Sequence, residues 1–103
     1  MRAKQTFFLG TAIKISTVLS LSSPSSVKIT IYDSSLSKKV DNADMTKETD
    51  TIYAYIYQSV DTGVYGDYIA HIEATFGSYT AKTEQVFAVV PFISTGTPGY
   101  VAP

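Results

Sequence analysis

The 103-residue chain contains no cysteine, no tryptophan and one histidine, and each absence excludes a class of chemistry. Without cysteine there is no disulfide framework, no thiolate metal site and no cysteine nucleophile. A single histidine cannot build a multi-histidine zinc site. The 8 basic and 9 acidic side chains give a formal net charge of −1, whereas nucleic-acid binders usually carry a basic excess. We therefore expect no cofactor, no metal and no nucleic-acid partner.

Long hydrophobic runs are also missing. The basic residues at 1–4 and the apolar Phe7-Phe8-Leu9 loosely imitate a signal peptide, but Gly10 and Lys14 interrupt the apolar region that such a peptide needs. No stretch approaches the ~18 apolar residues of a membrane-spanning helix. The sequence thus predicts a chain made without a cleaved signal and without membrane insertion.

The residue types that are abundant favour β-structure. The chain has 8 Tyr, 5 Phe, 13 Thr and 12 Ser, and aromatic residues and threonine suit a pleated, half-buried surface. Only 17% of the residues are charged, below the usual share of about 25%. Much of the surface is therefore predicted to be neutral and polar, or to be covered by a partner.

Apolar and polar residues alternate along several segments, as they do in strands with one buried face. No segment of 10 or more residues shows a helical period, so the pattern predicts one all-β domain over residues 1–90. The predicted strands are 5–9, 12–21, 27–32, 38–40, 51–58, 67–76 and 79–90, with a polar connection over 41–50. Gly77-Ser78 predicts a hairpin turn. The inward residues of that hairpin are predicted to be Tyr68, Ala70, Ile72, Ala74, Phe87 and Val89.

Residues 91–103 differ from the rest of the chain. They include three Pro and two Gly and carry no charge, but they hold four large apolar side chains: Phe92, Ile93, Tyr100 and Val101. Proline and glycine disfavour a regular strand, and a solvated tail usually has charge and few aromatics. This composition predicts an extended C-terminal arm, docked either on its own domain or on a neighbouring subunit.

A row of tyrosines is predicted on one face of the strand at 51–58. Tyr53, Tyr55 and Tyr57 alternate with Ile52, Ala54 and Ile56, so both faces of this strand are apolar. The rings could form core, a protein interface or a glycan-binding stripe, since aromatic residues are enriched at interfaces. One of the two faces must be covered by something other than the opposite sheet.

Six motifs between Phe8 and Val90 resemble those of prokaryotic and viral immunoglobulin-like modules, and the resemblance covers about four fifths of the chain. They are Phe8-Leu9-Gly10 before Ile13-Lys14-Ile15-Ser16; Val27-Lys28-Ile29-Thr30-Ile31-Tyr32-Asp33; Met45-Thr46-Lys47; Ile52-Tyr53-Ala54-Tyr55; Gly66-Asp67-Tyr68-Ile69-Ala70; and Val86-Phe87-Ala88-Val89. The resemblance implies an immunoglobulin-like antiparallel β-sandwich of about seven strands. Tyr68 would then form a tyrosine corner, in which its hydroxyl bonds to nearby backbone.

Standalone modules of this pattern resemble small structural proteins of tailed viruses of bacteria and archaea. The resemblance implies a non-enzymatic virion protein of the capsid surface, neck or tail, made in the host cytoplasm. Its partners would be other virion proteins or copies of itself. Contacts would run through sheet edges, the tyrosine row and the C-terminal arm. The alternative is a cell-surface module that binds a receptor or a glycan.

Three patterns raise catalytic or metal-binding hypotheses, and each has a simpler interpretation. His71 and Glu73 share a strand face and could bind a metal, but a third ligand is not evident. Asp41-Asn42-Ala43-Asp44 resembles part of a calcium loop without its glycine and terminal glutamate. Asp61-Thr62-Gly63 matches the aspartic-protease triplet, but the apolar strands that should flank it are absent. We therefore predict a protein that is not an enzyme.

Overall fold

The structure, a computed structural model, describes residues 5–60 and 63–91 and places them in two β-sheets. The five-stranded sheet has the order β1-β8-β7-β3-β4 and the three-stranded sheet the order β2-β6-β5. The strands are β1 (Gln5–Phe8), β2 (Ala12–Val18), β3 (Ser26–Tyr32), β4 (Lys38–Asp44), β5 (Thr46–Lys47), β6 (Ile52–Gln58), β7 (Gly66–Phe76) and β8 (Tyr79–Val90). The described residues contain no helix, which confirms the all-β prediction. In particular, they contain no helix with the length and hydropathy to cross a membrane.

Two details of the sheets differ from the predicted antiparallel arrangement of about seven strands. Eight strands are present, and β1 runs parallel to β8, with Gln5 opposite Phe87 and Phe8 opposite Val90. No hairpin joins β1 to β8, so no turn imposes an antiparallel direction on this pair. Gly10, with φ of +89°, instead carries the chain from β1 to β2 in the opposite sheet.

The polar connection predicted over residues 41–50 is largely strand. β4 continues along β3 to Asp44 through two register shifts, and Asn42 has φ of +54° and donates its N–H to Thr30 Oγ1 at 3.1 Å. Register shifts of this kind bend an edge strand. They also interrupt the alternation of apolar and polar residues, so the sequence pattern does not reveal the full length of the strand. Met45, between β4 and β5, is buried in the core.

The core lies between the two sheets and consists of alternate residues of their strands. β2 contributes Ile13 and Ile15, and β3 contributes Val27, Ile29 and Ile31. The inward residues predicted for the β7–β8 hairpin are confirmed, since all of them are buried: Tyr68, Ala70, Ile72, Ala74, Phe87 and Val89. Among the described residues, every buried side-chain nitrogen or oxygen has a hydrogen bond, so no unsatisfied polar group destabilises this core.

The β7–β8 hairpin closes at Gly77-Ser78, where Phe76 pairs with Tyr79. Gly77 has φ of +65°, a conformation that glycine adopts without the steric cost borne by other residues. The register continues without interruption to the pair of Gly66 and Val89. A two-residue turn therefore fixes which residues of both strands face the core.

Tyr68 connects the start of β7 to the loop before it. Its hydroxyl donates a hydrogen bond to the carbonyl oxygen of Val64, as the tyrosine-corner prediction requires. Its ring lies 5.5 Å from that of Phe87 and 6.2 Å from that of Tyr57, centroid to centroid. Burial raises the pKa of Tyr68 above the ordinary value of 10.0, so the hydroxyl keeps its donor proton at neutral pH.

Replacing Tyr68 by Phe tests this bond. The substitution keeps the ring but leaves the Val64 carbonyl without its partner, so we expect the free energy of unfolding to fall by about 1–2 kcal/mol. Urea denaturation measures the change. Tyr79→Phe is the matched control, because Tyr79 is 69% exposed and should give almost no change. Equal stability of the two variants would contradict a stabilising corner.

Candidate interaction surfaces

The edge strands of the two sheets are protected to different degrees. β4 is irregular and carries Lys38 and Lys39, and β5 is only two residues long. These are common ways of preventing a sheet from pairing with another chain. β2, by contrast, is seven residues long, contains no proline and pairs regularly with β6 from Ala12 to Val18. Among the described residues, no strand pairs with its outer edge.

A groove of about 1140 Å³ runs along this outer edge of β2. Its other wall is β8, and residues of β1 lie at one end. The lining residues are Gln5, Phe7, Ile13, Lys14, Ile15, Ser16 and residues 83–87. One bond bridges the walls, since Gln85 Nε2 donates to the Ser16 carbonyl oxygen at 2.7 Å. We call this cleft the edge groove.

The structure turns the tyrosine row toward the core. Tyr53 is 8% exposed and belongs to the core, whereas Tyr55 and Tyr57 are half-buried and pack against it. They face inward because their partners on β2 are the inward-facing Thr17, Ile15 and Ile13. The prediction that these rings also form an interface remains a prediction.

The opposite face of β6 carries exposed apolar residues. Ile56 is 59% exposed, and Val18 on the same face of β2 is 73% exposed. Ala54 is buried and Ile52 half-buried, so neighbouring side chains already cover part of this face. The apolar surface left to a partner is therefore smaller than the sequence pattern predicts.

The outer face of the five-stranded sheet is polar and ordered by strand register. Cross-strand pairing places Asp44, Lys28, Glu73 and Lys82 side by side across β4, β3, β7 and β8, so their charges alternate. Lys28 Nζ lies 2.6 Å from Asp44 Oδ1. Opposite charges on neighbouring strands favour this register, and like charges would oppose it. A hollow of about 530 Å³ lies on this face, beside Tyr32 and His71.

Asp33 is the one carboxylate among the described residues that is fully buried, with 1% exposure. Its Oδ1 accepts bonds from the Ser35 hydroxyl at 2.7 Å and from the N–H groups of Ser35 and Ser37 at 2.9 and 3.0 Å. The hydrogen bond from the Ser35 hydroxyl, helped by these N–H groups and by Lys39 at 3.6 Å, holds its pKa below the ordinary 3.8 although burial opposes this. Asp33 thus fixes the turn from β3 to β4.

Sequence reasoning missed this role of Asp33, although Asp33-Ser34-Ser35 carried the signal. An aspartate before serines commonly accepts bonds from backbone N–H groups two or more residues later. The neighbouring Ser34 hydroxyl donates to the carbonyl of Tyr65 at 2.7 Å, which ties this turn to the loop before β7.

The candidate catalytic and metal-binding residues do not form a site, because they lack a cluster of ligands or are already paired with other side chains. His71 and Glu73 share an exposed face as predicted, but the carboxylate beside His71 is Glu84, at 2.9 Å on β8. The segment from Asp41 to Asp44 is part of β4, and its carboxylates face Lys38 and Lys28. Among residues 5–60 and 63–91, no three metal-binding side chains cluster.

Several predicted site residues lie outside the described residues. They are the arm side chains Phe92, Ile93, Tyr100 and Val101, together with Asp61 and Thr62 of the triplet.

Comparison with known proteins gives no relative. No family model, no curated protein sequence and no solved structure matches this chain.

Changing Asp33 to Asn tests the charge of the buried carboxylate. The unfolded chain takes up a proton near pH 3.8 and the folded chain only at lower pH, so Asp33 stabilises the fold above pH 3.8. That stabilisation is lost as the pH falls through the folded pKa. At neutral pH we expect Asp33→Asn to lower the free energy of unfolding by roughly 1–2 kcal/mol, with a smaller difference from wild type in acid.

Urea denaturation at a series of pH values measures this dependence. Asp41→Asn is the matched control, because Asp41 is exposed and only 3.6 Å from Lys38 in an exposed ion pair. A constant difference between wild type and Asp33→Asn from neutral pH to pH 3 would contradict a specific role for the charge.

Proposed function

We propose that the chain is a non-enzymatic, immunoglobulin-like structural protein of a tailed-virus particle, placed at the capsid surface, neck or tail. It assembles with copies of itself or with other virion proteins through sheet edges and the arm at 91–103. The family resemblance of the sequence supplies the virion assignment. The observation that carries the proposal is the arrangement of the strands.

The strand order supports the immunoglobulin-like part of the proposal. In variable-type immunoglobulin domains the last two strands share a sheet with the third strand and an additional strand after it. The order β8-β7-β3-β4 has this form, and β2-β6-β5 corresponds to the opposite sheet. The Tyr68–Val64 bond occupies the position of the tyrosine corner, at the start of the penultimate strand.

The edges of the sheets support an assembly role. A module that works alone gains by protecting every edge strand, as β4 and β5 are protected. β2 keeps a regular outer edge with a groove beside it. Many copies in a symmetric particle can convert such individually weak contacts into firm attachment.

Deleting residues 92–103 tests the proposal. We expect the truncated protein to fold but to enter particles less than the intact chain, because it lacks the uncharged, apolar arm. Incorporation is measured by quantifying the protein in purified particles of the virus that encodes it, with Tyr79→Phe as a control for an exposed change. Absence of the intact protein from those particles would overturn the virion assignment, and full incorporation of the truncated form would remove the arm from it.

A receptor- or glycan-binding module is the second candidate, and the hollow on the five-stranded sheet favours it. Tyr32 and His71 lie there with ring centroids 5.3 Å apart, beside the polar Thr30 and Asn42. An aromatic ring with polar neighbours suits a sugar face and its hydroxyl groups. Glycan-array binding that disappears in Tyr32→Ala but persists in Tyr79→Ala would support this function over a purely structural one.

A further inference from the structure

The small sheet leaves part of the large sheet uncovered, and this gap coincides with the outer edge of β2. On β7, Ala70 and Ile72 are buried, whereas their partners on β8, Gln85 and Thr83, are half-buried and exposed. All four point to the same face of the five-stranded sheet. The three-stranded sheet therefore leaves β8 uncovered around Thr83 and Gln85, although Phe87 and Val89 farther along β8 are buried.

The outer edge of β2 also presents backbone groups suited to another strand. The Ser16 carbonyl points away from β6, because it accepts a bond from Gln85 of the opposite sheet. On the other side, the N–H of Leu19 bonds the Thr51 carbonyl, toward β6. Since antiparallel pairing alternates along a strand, the N–H and C=O groups of Ala12, Lys14 and Val18 point away from β6 with those of Ser16, and of these residues Lys14 and Ser16 line the edge groove.

We propose that the edge groove binds residues 92–103 of a second copy, which add to β2 as an extended strand. This inference rests on the proposed function and specifies the partner for one sheet edge. Extended binding of this kind uses main-chain hydrogen bonds for affinity and side-chain positions for specificity. Twelve residues can span up to about 40 Å, more than the ~23 Å of seven paired residues.

Charge and composition favour this segment as the occupant. The two charged groups of the groove are already paired, Lys14 with Glu48 at 2.9 Å and Glu84 with His71 at 2.9 Å. Residues 92–103 contain no charge, so their burial there would leave no charge unpaired. Residues 92–97 also contain no proline, and their hydroxyl groups suit the polar lining at Thr83, Gln85 and Ser16.

The path of the chain favours a second copy over the same copy. A hairpin return from Val90 along β8 is blocked, because β1 already pairs with Phe87–Val90. Val90 lies beside Leu9, close to the start of β2, since the Leu9 N–H bonds the Val90 carbonyl at 2.9 Å. A return along β2 within the same chain would therefore run parallel to β2, whereas the segment of a second copy can add in the antiparallel direction, which is slightly more stable per residue.

Disulfide trapping in the full chain tests the proposal. Because the chain has no native cysteine, only the introduced thiols can form a disulfide. Purified Lys14→Cys protein is mixed with isotope-labelled protein carrying Ser94→Cys or Thr95→Cys, which covers both faces of the added strand. In a glutathione buffer we expect at least about tenfold more mixed disulfide than with Glu73→Cys in place of Lys14→Cys, because docking raises the effective concentration of the two thiols. Glu73 is exposed on the outer face of the other sheet.

A proline variant separates strand addition from simple proximity. The Ser16 N–H faces the groove, so adding Ser16→Pro to the Lys14→Cys chain removes an edge donor while sparing the pairing with β6. We expect unchanged cooperative thermal unfolding and loss of the mixed disulfide.

Three outcomes would overturn the inference: mixed disulfide no greater than in the Glu73→Cys control, trapping that survives Ser16→Pro, or a disulfide formed only within one chain in the Lys14→Cys/Thr95→Cys double variant. All are measured on purified protein. The virion assignment is tested separately by incorporation into particles, so either proposal can fail while the other stands.

Discussion

The register of the β7–β8 hairpin determines most of what surrounds it. Gly77-Ser78 leaves Phe76 opposite Tyr79, and every later pair follows from that starting point. A shift of one residue would turn the buried residues of one strand to the surface and bring charged residues into the core. Because β7 also pairs with β3, the same register aligns three strands of the five-stranded sheet.

The outer face depends on this register as much as the core does. Glu73 meets Lys82 only when the hairpin closes at Gly77-Ser78, and β3 then brings Lys28 to the other side of Glu73. The alternating charges are individually weak in water, since exposed pairs contribute only about 0–1 kcal/mol. Their main effect is selective, because a shift of one residue would place Glu73 opposite Ala81 or Thr83 and remove its pairing with Lys82.

The features of the fold that could be predicted are those set by residues close together in the sequence. The alternation of apolar and polar residues and the glycine of a tight turn can both be recognised from consecutive residues. The all-β class and the inward-facing residues of the β7–β8 hairpin, from Tyr68 to Val89, were therefore predictable. The two-residue turn also determines the His71–Glu84 pair, because counting back from Phe76 opposite Tyr79 places His71 opposite Glu84. This pairing was therefore predictable from the position of the turn.

Other features depend on contacts distant in sequence and left no local pattern. The parallel direction of β1 is set by β8, about 80 residues away, and not by a turn. The extension of β4 depends on Thr30 accepting the N–H of Asn42, whose positive φ interrupts the alternation that marks a strand. The edge groove arises because the three-stranded sheet is narrower than its partner, and strand count in a sheet is a global property.

The difference in width between the two sheets has a consequence for symmetry. In the proposed contact, the edge groove of one copy binds the segment at 92–103 of another, and because these are different surfaces the contact is heterologous. Such a contact closes into a reciprocal dimer if two copies exchange segments, and into a ring or an open filament if each copy passes its segment onward. The segment has to cross between copies before it reaches the groove, which limits how far apart neighbouring subunits can stand. A ring or a reciprocal dimer satisfies every groove, whereas a filament always leaves one groove empty at its end. A closed assembly is therefore the arrangement that removes the last open edge of β2.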